Sequence, residues 1–200
     1  ITSNFALQKI KRIFNNSKAG FVGTLDPLAS GFLPVALGKA TKIIPFIEKC
    51  DKKYLFTVRW GIKTETGDTE GKVINKCDIY PNKIDIVKAL KKFSGPIKQF
   101  PHKFSSVKIN GQRAHKLARK NVKFQLKKRQ IKINNFALTN NLSDKLASFF
   151  LDCSSGTYVR SLAESLAESL GTIGTVVELR RIGFNNFNKK LISLDYLLSL

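Results

Sequence analysis

The sequence predicts an α+β fold built around a largely antiparallel sheet, because strand and helix patterns mix without the regular alternation of parallel α/β proteins. Residues 53–62 alternate apolar and polar side chains and place Tyr54 and Trp60 on one predicted buried face. Residues 130–138 and 145–153 are two further strand patterns, close enough in sequence to pair as a hairpin. Strands joined by a tight turn pair antiparallel, which accounts for the predicted character of the sheet.

Helical spacing and turn residues place the other elements around these strands. Residues 140–141, both asparagine, are predicted to form the hairpin turn, and residues 61–71 a polar connection. The remaining predicted elements are helices at 5–15, 39–49, 84–93 (opened by Pro81), 158–170 (ended by Gly171) and 194–200 (capped by Ser193), and strands at 73–74 and 176–182.

The chain is strongly basic: 35 lysines and arginines stand against 14 acidic residues, which gives a formal net charge of +21. A field of this sign attracts polyanions, and nucleic acid is the usual partner. The composition has a second interpretation, because abundant Lys, Asn, Ile and Phe are also typical of an AT-biased genome, with the lysines as solvated surface. Hydrophobic residues make up 42% of the chain, which is enough for a folded core.

The sequence favours a cytoplasmic protein without a membrane segment, since no apolar run reaches the roughly 18 residues of a spanning helix and no signal peptide is visible. Cys50, Cys77 and Cys153 lie far apart and are predicted to be reduced thiols. With two histidines and such scattered cysteines, we expect no metal site. Glycine motifs for phosphate or dinucleotide binding are absent from the sequence, so we expect chemistry by side chains alone, without a cofactor.

Three charged residues are candidates for chemistry, and each has a structural alternative. Asp26 precedes Pro27 in a glycine-punctuated loop, where it is either a reactive carboxylate or the cap of a short helical turn. Asp68 lies in a loop rich in Thr and Gly, a pattern that favours turn stabilisation over a role in a site. Arg160 opens a helix, which the helix dipole disfavours unless an acid from elsewhere pairs with it; the alternative is a surface arginine.

Five ordered segments carry a resemblance that spans almost the whole chain. They are KAGFVGTLDPLASGFL at residues 18–33, KKY at 52–54 with GIKTETGDTEG at 61–71, FSSVKING at 104–111 with LAR at 117–119, GTYVRSLA at 156–163, and LRRIG at 179–183. Their order and spacing resemble those of the bacterial tRNA pseudouridine synthase B family. The resemblance implies an isomerase that converts uridine to pseudouridine in the T-arm loop of tRNA, at position 55.

The resemblance also implies catalytic residues. Asp26 stands at the family's nucleophilic aspartate, and Arg160 at the arginine paired with it. Tyr54 stands at the tyrosine that stacks on the target base and is a candidate for proton transfer. The implied mechanism is covalent catalysis by Asp26 on a uridine that has been flipped out of its stack.

Five further positions are implied to bind the substrate: Phe21, Gly23, Lys53, Lys108 and Leu179. Leu179 matches an apolar residue that lines the uracil pocket, and the two lysines match basic positions near the site and the RNA. Phe21 departs from the family, which commonly has His there in the space that the flipped nucleotide leaves. Phe fills such a space by stacking but donates no hydrogen bond, so we expect base flipping with an altered rate or selectivity.

The resemblance implies a pseudouridine synthase fold, with a mixed sheet flanked by helices and an RNA-gripping insertion at about residues 94–128. Residues 1–200 are then expected to be the catalytic domain of a monomer that binds the tRNA T-arm stem-loop. Family members begin with a strand and a D-K-P-like segment that the sequence lacks, and many continue into a C-terminal RNA-binding domain. We therefore expect a domain shortened at its N-terminus, with the C-terminal domain absent or barely begun.

Two alternatives stay open at the level of sequence. A basic RNA-binding or RNA-chaperone protein without chemistry has the same charge, although it does not need Asp26, Tyr54 and Arg160 in these motifs. A related synthase that acts on another RNA has the same motifs and a different substrate.

Overall fold

The computed structural model describes residues 1–184 and 191–199, and it contains helices of varied length. The helices are α1 (Ser3–Ile13), α2 (Ile44–Glu48), α3 (Lys83–Leu90), α4 (Ala114–Arg119), α5 (Val159–Ser169) and α6 (Leu194–Leu198), with 3₁₀ turns at Gly38–Ile43 and Lys91–Phe93. Within these described ranges, no helix has the length and apolar character that crossing a membrane requires.

Twelve strands are present in the described part of the chain. They are β1 (Ala19–Phe21), β2 (Ser30–Gly31), β3 (Val35–Leu37), β4 (Lys52–Trp60), β5 (Ile62–Thr64), β6 (Val73–Lys76), β7 (Gly95–Gln99), β8 (Lys108–Ile109), β9 (Gln112–Arg113), β10 (Arg129–Ser143), β11 (Leu146–Cys153) and β12 (Gly174–Phe184). Six of them form one sheet in the order β2-β12-β4-β11-β10-β7. Only the short β2 is parallel to its neighbour, so the sheet is mixed but largely antiparallel, as predicted.

The core lies on one face of this sheet. Phe56, Val58 and Trp60 of β4 are buried there, and the ring of Phe56 stacks on that of Phe149 with centroids 5.3 Å apart. Helix α5 packs against β12 through buried leucines such as Leu166, and α3 packs against β10. Burial of each large apolar side chain contributes about 2 kcal/mol, so the predicted alternation in β4 is a main source of the fold's stability.

Several predicted elements are confirmed, including α1, β4, β6, α5 and β12, and Ser193 caps α6 by accepting a hydrogen bond from the amide of Tyr196. The last residue of the predicted C-terminal helix, Leu200, lies outside the described residues. The connection predicted at 61–71 begins instead with a strand, β5, which pairs with β6.

The predicted turn at residues 140–141 is wrong. Asn140 lies opposite Ser148, and the two strands continue to the pair Ser143–Leu146, so the turn is formed by Asp144 and Lys145. Bulges on either side of Asn140 absorb the extra residues. Local propensity suggested the Asn pair, but cross-strand pairing extends the ladder past it.

Two helix predictions also need correction, both for reasons of capping or proline chemistry. Pro81 does not open α3; the side chain of Asn82 caps it by accepting a hydrogen bond from the amide of Asp85 at 2.9 Å. The helix predicted at 39–49 is a 3₁₀ turn followed by the short α2. Pro45 lies in the first turn of α2 and lacks an amide donor, so a single α-helix does not run through it.

The RNA-gripping insertion predicted at about residues 94–128 stays a prediction, and its first residues form part of the main sheet. Gly95–Gln99 is β7, the edge strand that pairs with β10 of the main sheet. We therefore use the term insertion for residues 100–128, which contain the β8–β9 hairpin and α4 and join β7 to β10.

Residues 22–32, called the Asp26 loop below, are held at both ends by backbone hydrogen bonds. The later end joins the main sheet: Gly31 of β2 pairs with Arg181 of β12, and the amide of Phe32 donates to the carbonyl of Arg181 at 2.7 Å. At the other end, the amide of Val22 donates to the carbonyl of Pro34 at 2.9 Å, just before β3 of the separate β1–β3 pair. These contacts fix where the loop begins and ends.

We predict that Gly31→Ala destabilises the protein by about 3 kcal/mol. Gly31 has a φ of +98°, and an added Cβ would overlap the carbonyl oxygen of Arg181. Gly171→Ala is the matched control, because Gly171 also has positive φ (+71°) but has nothing within 4 Å of the added Cβ. Gly171→Ala should lower the free energy of unfolding by only about 1 kcal/mol, as measured by urea denaturation followed by circular dichroism. Equal losses for the two variants would contradict close packing of the Asp26 loop on β12.

Candidate active site

Asp26 lies at the start of a tight turn and not at the start of a helix. Its carbonyl accepts a hydrogen bond from the amide of Ala29 at 2.8 Å, and no helix begins at Pro27. The helix-cap alternative is therefore wrong. The Asp26 side chain is 39% exposed, and its Oδ2 lies 2.9 Å from Nη2 of Arg160. One edge of the carboxylate is held by a cation while the side chain stays accessible to a ligand.

Arg160 is the central cation of the site. Its side chain is only 5% exposed, at the second residue of α5. Besides Asp26, its Nη1 lies 3.3 Å from Oδ2 of Asp68. Nη1 also donates to the carbonyl of Thr66 at 2.9 Å, and Nη2 to the carbonyl of Phe104 at 3.2 Å. Two carboxylates thus offset both the burial of the guanidinium and its unfavourable position at a helix N-terminus.

The backbone just before Arg160 is held by an amide side chain from β7. Gln99 donates from Nε2 to the carbonyl of Tyr158 at 3.0 Å and accepts from the amide of Tyr158 at 2.9 Å. This double hydrogen bond fixes the first residues of α5 against the sheet. The position of Arg160 is therefore set by backbone contacts as well as by its ion pairs.

Asp68 is a member of the site that the sequence pattern assigned only to a turn. The turn role is present, because its Oδ1 accepts hydrogen bonds from the hydroxyl of Thr66 and, at 3.1 Å, from the amide of Glu70. The carboxylate is also 2% exposed and faces Arg160 with its other oxygen. Its partner Arg160 lies on a distant helix, so no feature of the loop sequence marks Asp68 as part of the site.

Tyr54 lies on the core side of β4, directly opposite Arg181 of β12. Burial raises the pKa of Tyr54 to about 12, although the neighbouring Arg181 acts in the opposite direction and Asp26 in the same one. The phenol is therefore protonated at neutral pH. Leu28 and Ala29 of the Asp26 loop pack against the same hydrophobic core as Tyr54.

Arg181 is a second buried arginine, and its hydrogen bonds go to the backbone of the Asp26 loop. Nε donates to the carbonyl of Phe32 at 2.8 Å, and Nη2 to that of Gly23 at 2.9 Å. The guanidinium also lies over the ring of Phe184, 4.6 Å from its centroid. The alternation of side chains along β12 distinguishes the two arginines of the LRRIG segment, because Arg181 shares the face of the buried Leu179 and Arg180 faces the other side.

Two of the predicted substrate-binding residues lie beside this arrangement. Gly23 has a φ of +64°, and a Cβ there would come 3.2 Å from Nη1 of Arg181, so the loop needs glycine at this point. Leu179 is buried on the core face of β12, opposite Phe56. Phe21 ends β1 opposite Val35, two residues before Gly23, and is partly exposed.

Neither of the two predicted lysines forms an ion pair with Asp26 or Asp68. Lys53 follows Lys52 on β4 and projects to the opposite face from Tyr54, where its Nζ lies 3.8 Å from Oδ2 of Asp152. Lys108 is exposed in the β8–β9 hairpin of the insertion. A direct role beside Asp26 is not supported for Lys53, and RNA contact by either lysine stays a prediction.

Within the described residues, no group of three or more His, Cys, Asp or Glu side chains is arranged to hold a metal ion. The functional groups at the site are thus carboxylates, guanidinium groups and a phenol. A carboxylate held by a buried cation, beside an aromatic ring and a basic insertion, suits nucleophilic chemistry on a nucleic-acid base.

Comparison with known families agrees with this fold and site. A model described as the N-terminal domain of the TruB family of pseudouridylate synthases matches residues 11–159. The chain belongs to this family, which confirms the resemblance seen in the sequence.

Relatives named tRNA pseudouridine synthase B align over nearly the whole chain. The protein of Caulobacter vibrioides is 40% identical over 201 residues, which cover 100% of this chain and 65% of the relative. That of Ehrlichia chaffeensis is 44% identical over 199 residues, which cover 98% of this chain and 67% of the relative. The chain therefore spans about two thirds of the length of these relatives.

Solved structures of similar fold are complexes. A chain in a Cbf5-Nop10-Gar1 complex is similar with a TM-score of 0.76 and 28% identity. The match covers 100% of this chain and 50% of that one. An H/ACA RNP bound to a substrate RNA containing 2′-deoxyuridine contains a chain with a TM-score of 0.72 and 26% identity, of which 49% is covered. The predicted pseudouridine synthase fold is thereby confirmed.

We predict that Arg160→Met lowers the free energy of unfolding by about 3–5 kcal/mol, because it leaves the carboxylate of Asp68 buried without a cation. Adding Asp68→Asn to Arg160→Met should restore about 1–2 kcal/mol, since an amide costs less to bury than a charge. Adding Asp26→Asn instead should restore less, because Asp26 is 39% exposed. The three variants are compared by urea denaturation. If both additions restore the same stability, the burial argument for Asp68 is wrong.

We predict that Arg181→Lys costs about 2–3 kcal/mol, because an ammonium cannot donate to Phe32 and Gly23 at once in the geometry of a guanidinium. Arg180→Lys, the same change at the exposed adjacent residue, should lie within about 0.5 kcal/mol of the unmodified protein. Thermal and urea unfolding measure both. A neutral Arg181→Lys would show that these carbonyl contacts do not stabilise the loop.

Proposed function

We propose that the protein converts uridine to pseudouridine in the T-arm loop of tRNA, at position 55, with Asp26 as the nucleophile. The observation that carries this proposal is the Asp26–Arg160–Asp68 arrangement in a chain of the TruB family. The names of the relatives support tRNA as the substrate. A structural neighbour bound to a substrate RNA supports an RNA ligand for this fold.

The reaction breaks the N1–C1′ bond of uridine, rotates the uracil and forms a C5–C1′ bond; C5 loses its proton and N1 takes one up. It needs no energy source or cofactor, because it is an isomerisation in which a C–C bond replaces a C–N bond. It does need an ionised carboxylate that can bond to C1′ or to C6 of the ring. Asp26 meets this requirement, since Arg160 contacts only one edge of a side chain that is 39% exposed.

Asp68 contributes by holding Arg160 in place. One guanidinium shared between two carboxylates leaves the group with net negative charge, so Asp26 is not fully neutralised by its partner. The buried Asp68 draws the guanidinium inward, and the exposed Asp26 faces the ligand. This division of roles orients the nucleophile without removing its charge.

Tyr54 supplies an aromatic surface for the flipped uracil. Because its pKa is raised to about 12 by burial, the phenol is in the protonated form when the base binds. Any transfer of the C5 proton to Tyr54 requires the phenolate, and the adjacent Arg181 is the cation that favours it. Stacking is therefore the role that the ground-state geometry supports best.

The insertion provides the surface for RNA. Its cationic side chains are exposed and interspersed with aromatic residues, a combination that suits phosphates and unstacked bases. The exposed cations are Lys103, Lys108, Arg113, Lys116, Arg119, Lys120, Lys123, Lys127 and Lys128. We propose that they hold the T-arm stem-loop while a monomer acts on it in the cytoplasm.

Replacing Asp26 by Asn should abolish tritium release from tRNA labelled at C5 of uridine, because an amide is too weak a nucleophile. Binding of tRNA, measured by filter retention, should stay within about threefold, since phosphate contacts dominate affinity. Asp144→Asn, in the exposed turn between β10 and β11, is the control and should react as the unmodified protein. Turnover by Asp26→Asn would remove Asp26 as the nucleophile.

Phe21 is predicted to assist base flipping by filling the space that the nucleotide leaves. Phe21→His should give the same product, and Phe21→Ala should slow single-turnover conversion by about tenfold, the effect of losing one stacking contact. Mapping of the modified uridine in bulk tRNA identifies the product position. Conversion by Phe21→Ala at the full rate would exclude a role in flipping.

A further inference from the structure

His102 lies at the base of the insertion, three residues after the end of β7, and is 5% exposed. Each of its ring nitrogens faces a partner. Nδ1 accepts a hydrogen bond from the amide of Phe104 at 3.2 Å. Nε2 lies 3.7 Å from Oε1 of Glu164 on α5. With Nδ1 as an acceptor, the ring is the tautomer that carries its proton on Nε2, directed at the carboxylate.

The backbone of Phe104 connects His102 to Arg160 and Asp26. Its carbonyl accepts from Nη2 of Arg160 at 3.2 Å, and the same nitrogen lies 2.9 Å from Oδ2 of Asp26. Glu164 and Arg160 are four residues apart on α5, so both ends of the chain are fixed to one helix. We call His102, Phe104 and Glu164 the His102 bridge.

The bridge is closely packed against the loop that contains Asp68. Gly67 has a φ of +70°, and a Cβ there would lie 3.0 Å from Nε2 of His102 and 3.2 Å from Oε1 of Glu164. The ring of His102 also stacks on that of Phe104, with planes 29° apart. Burial acts to raise the pKa of Glu164, but its contact with His102 and the charges of Lys63 and Arg160 outweigh this, so that the pKa is lowered.

We propose that His102 is a positioning residue: through the amide of Phe104 it sets the carbonyl that orients Arg160, and so couples the seating of the RNA-binding insertion to the alignment of Asp26. The inference rests on the proposed function for its kinetic part. It gives His102 a role in catalysis although His102 does not contact Asp26, and it explains the contact between Arg160 and the carbonyl of Phe104 in the insertion. A shift of the insertion is then felt at Arg160, because the amide that His102 accepts from and the carbonyl that Arg160 donates to both belong to Phe104.

Two substitutions of His102 separate its hydrogen bond to Phe104 from its contact with Glu164. Asn places an oxygen near the position of Nδ1 and keeps the acceptor for the amide of Phe104, but does not reach Glu164. Gln places its amide near the position of Nε2 and keeps the contact to Glu164, but leaves the amide of Phe104 without this acceptor. Both side chains are neutral and polar, so a general effect of replacing the ring appears in both.

The test measures single-turnover pseudouridine formation at saturating stem-loop RNA, the RNA dissociation constant, and hydrogen exchange of the Phe104 amide by NMR. His102→Gln should slow the chemical step by about tenfold, as expected for a small misplacement of a catalytic group. His102→Asn should recover most of that rate. The dissociation constants should agree within about twofold, and the Phe104 amide should exchange faster only in His102→Gln.

Equal rates in unmodified protein and His102→Gln would overturn the proposal, as would equal losses in the two variants. A loss confined to the dissociation constant would also overturn it, since it would assign His102 to RNA grip and not to Arg160. Absence of turnover in the unmodified protein would instead overturn the proposed function. In that case the hydrogen exchange of the Phe104 amide still decides whether His102 accepts a hydrogen bond from it.

Discussion

The guanidinium of Arg160 is the interaction on which the site depends, because it joins parts of the chain that are distant in sequence. Asp26 reaches it from the loop before β2, Thr66 and Asp68 from the loop after β5, and Phe104 from the insertion. A buried cation must be paired, and removing one partner of a buried pair typically costs about 3–5 kcal/mol. Each of these segments is therefore held to α5 by the same group, and their relative positions define the site.

Arg181 complements this interaction by acting on backbone instead of side chain. Arg160 fixes the carboxylate of Asp26, whereas Arg181 fixes the loop that presents it, through carbonyls at Gly23 and Phe32. The glycine at position 31 allows the loop to approach β12 closely enough for this contact. For the proposed nucleophile, restraint at both the side chain and the backbone leaves little freedom to lose on reaching the reactive geometry, which is how positioning lowers a barrier.

Hydrophobic periodicity in the sequence predicted the main core strand and the main core helix. The alternation in β4 and the helical spacing in α5 identified the core elements, because burial on one face imposes those periods. The hairpin turn was misplaced at residues 140–141, since cross-strand pairing and bulges decide where a ladder ends. The same alternation places Lys53, adjacent to Tyr54, on the opposite face of the strand, away from the predicted position of the base.

The site was only partly predictable for a similar reason. Motif resemblance singled out Asp26, Tyr54 and Arg160 as predicted catalytic residues, and the structure pairs Asp26 with Arg160. The contacts of Asp68 and Arg181 join segments far apart in sequence, which no local pattern encodes. The most direct test of the account is the single-turnover rate of pseudouridine formation by Arg160→Lys at saturating RNA, with folding checked by circular dichroism. A single ammonium cannot serve Asp26, Asp68 and two carbonyls together, so the account predicts a loss of at least about 100-fold with RNA binding retained. A rate within about threefold of the unmodified protein would contradict it, because a merely cationic residue would then suffice to support catalysis by Asp26.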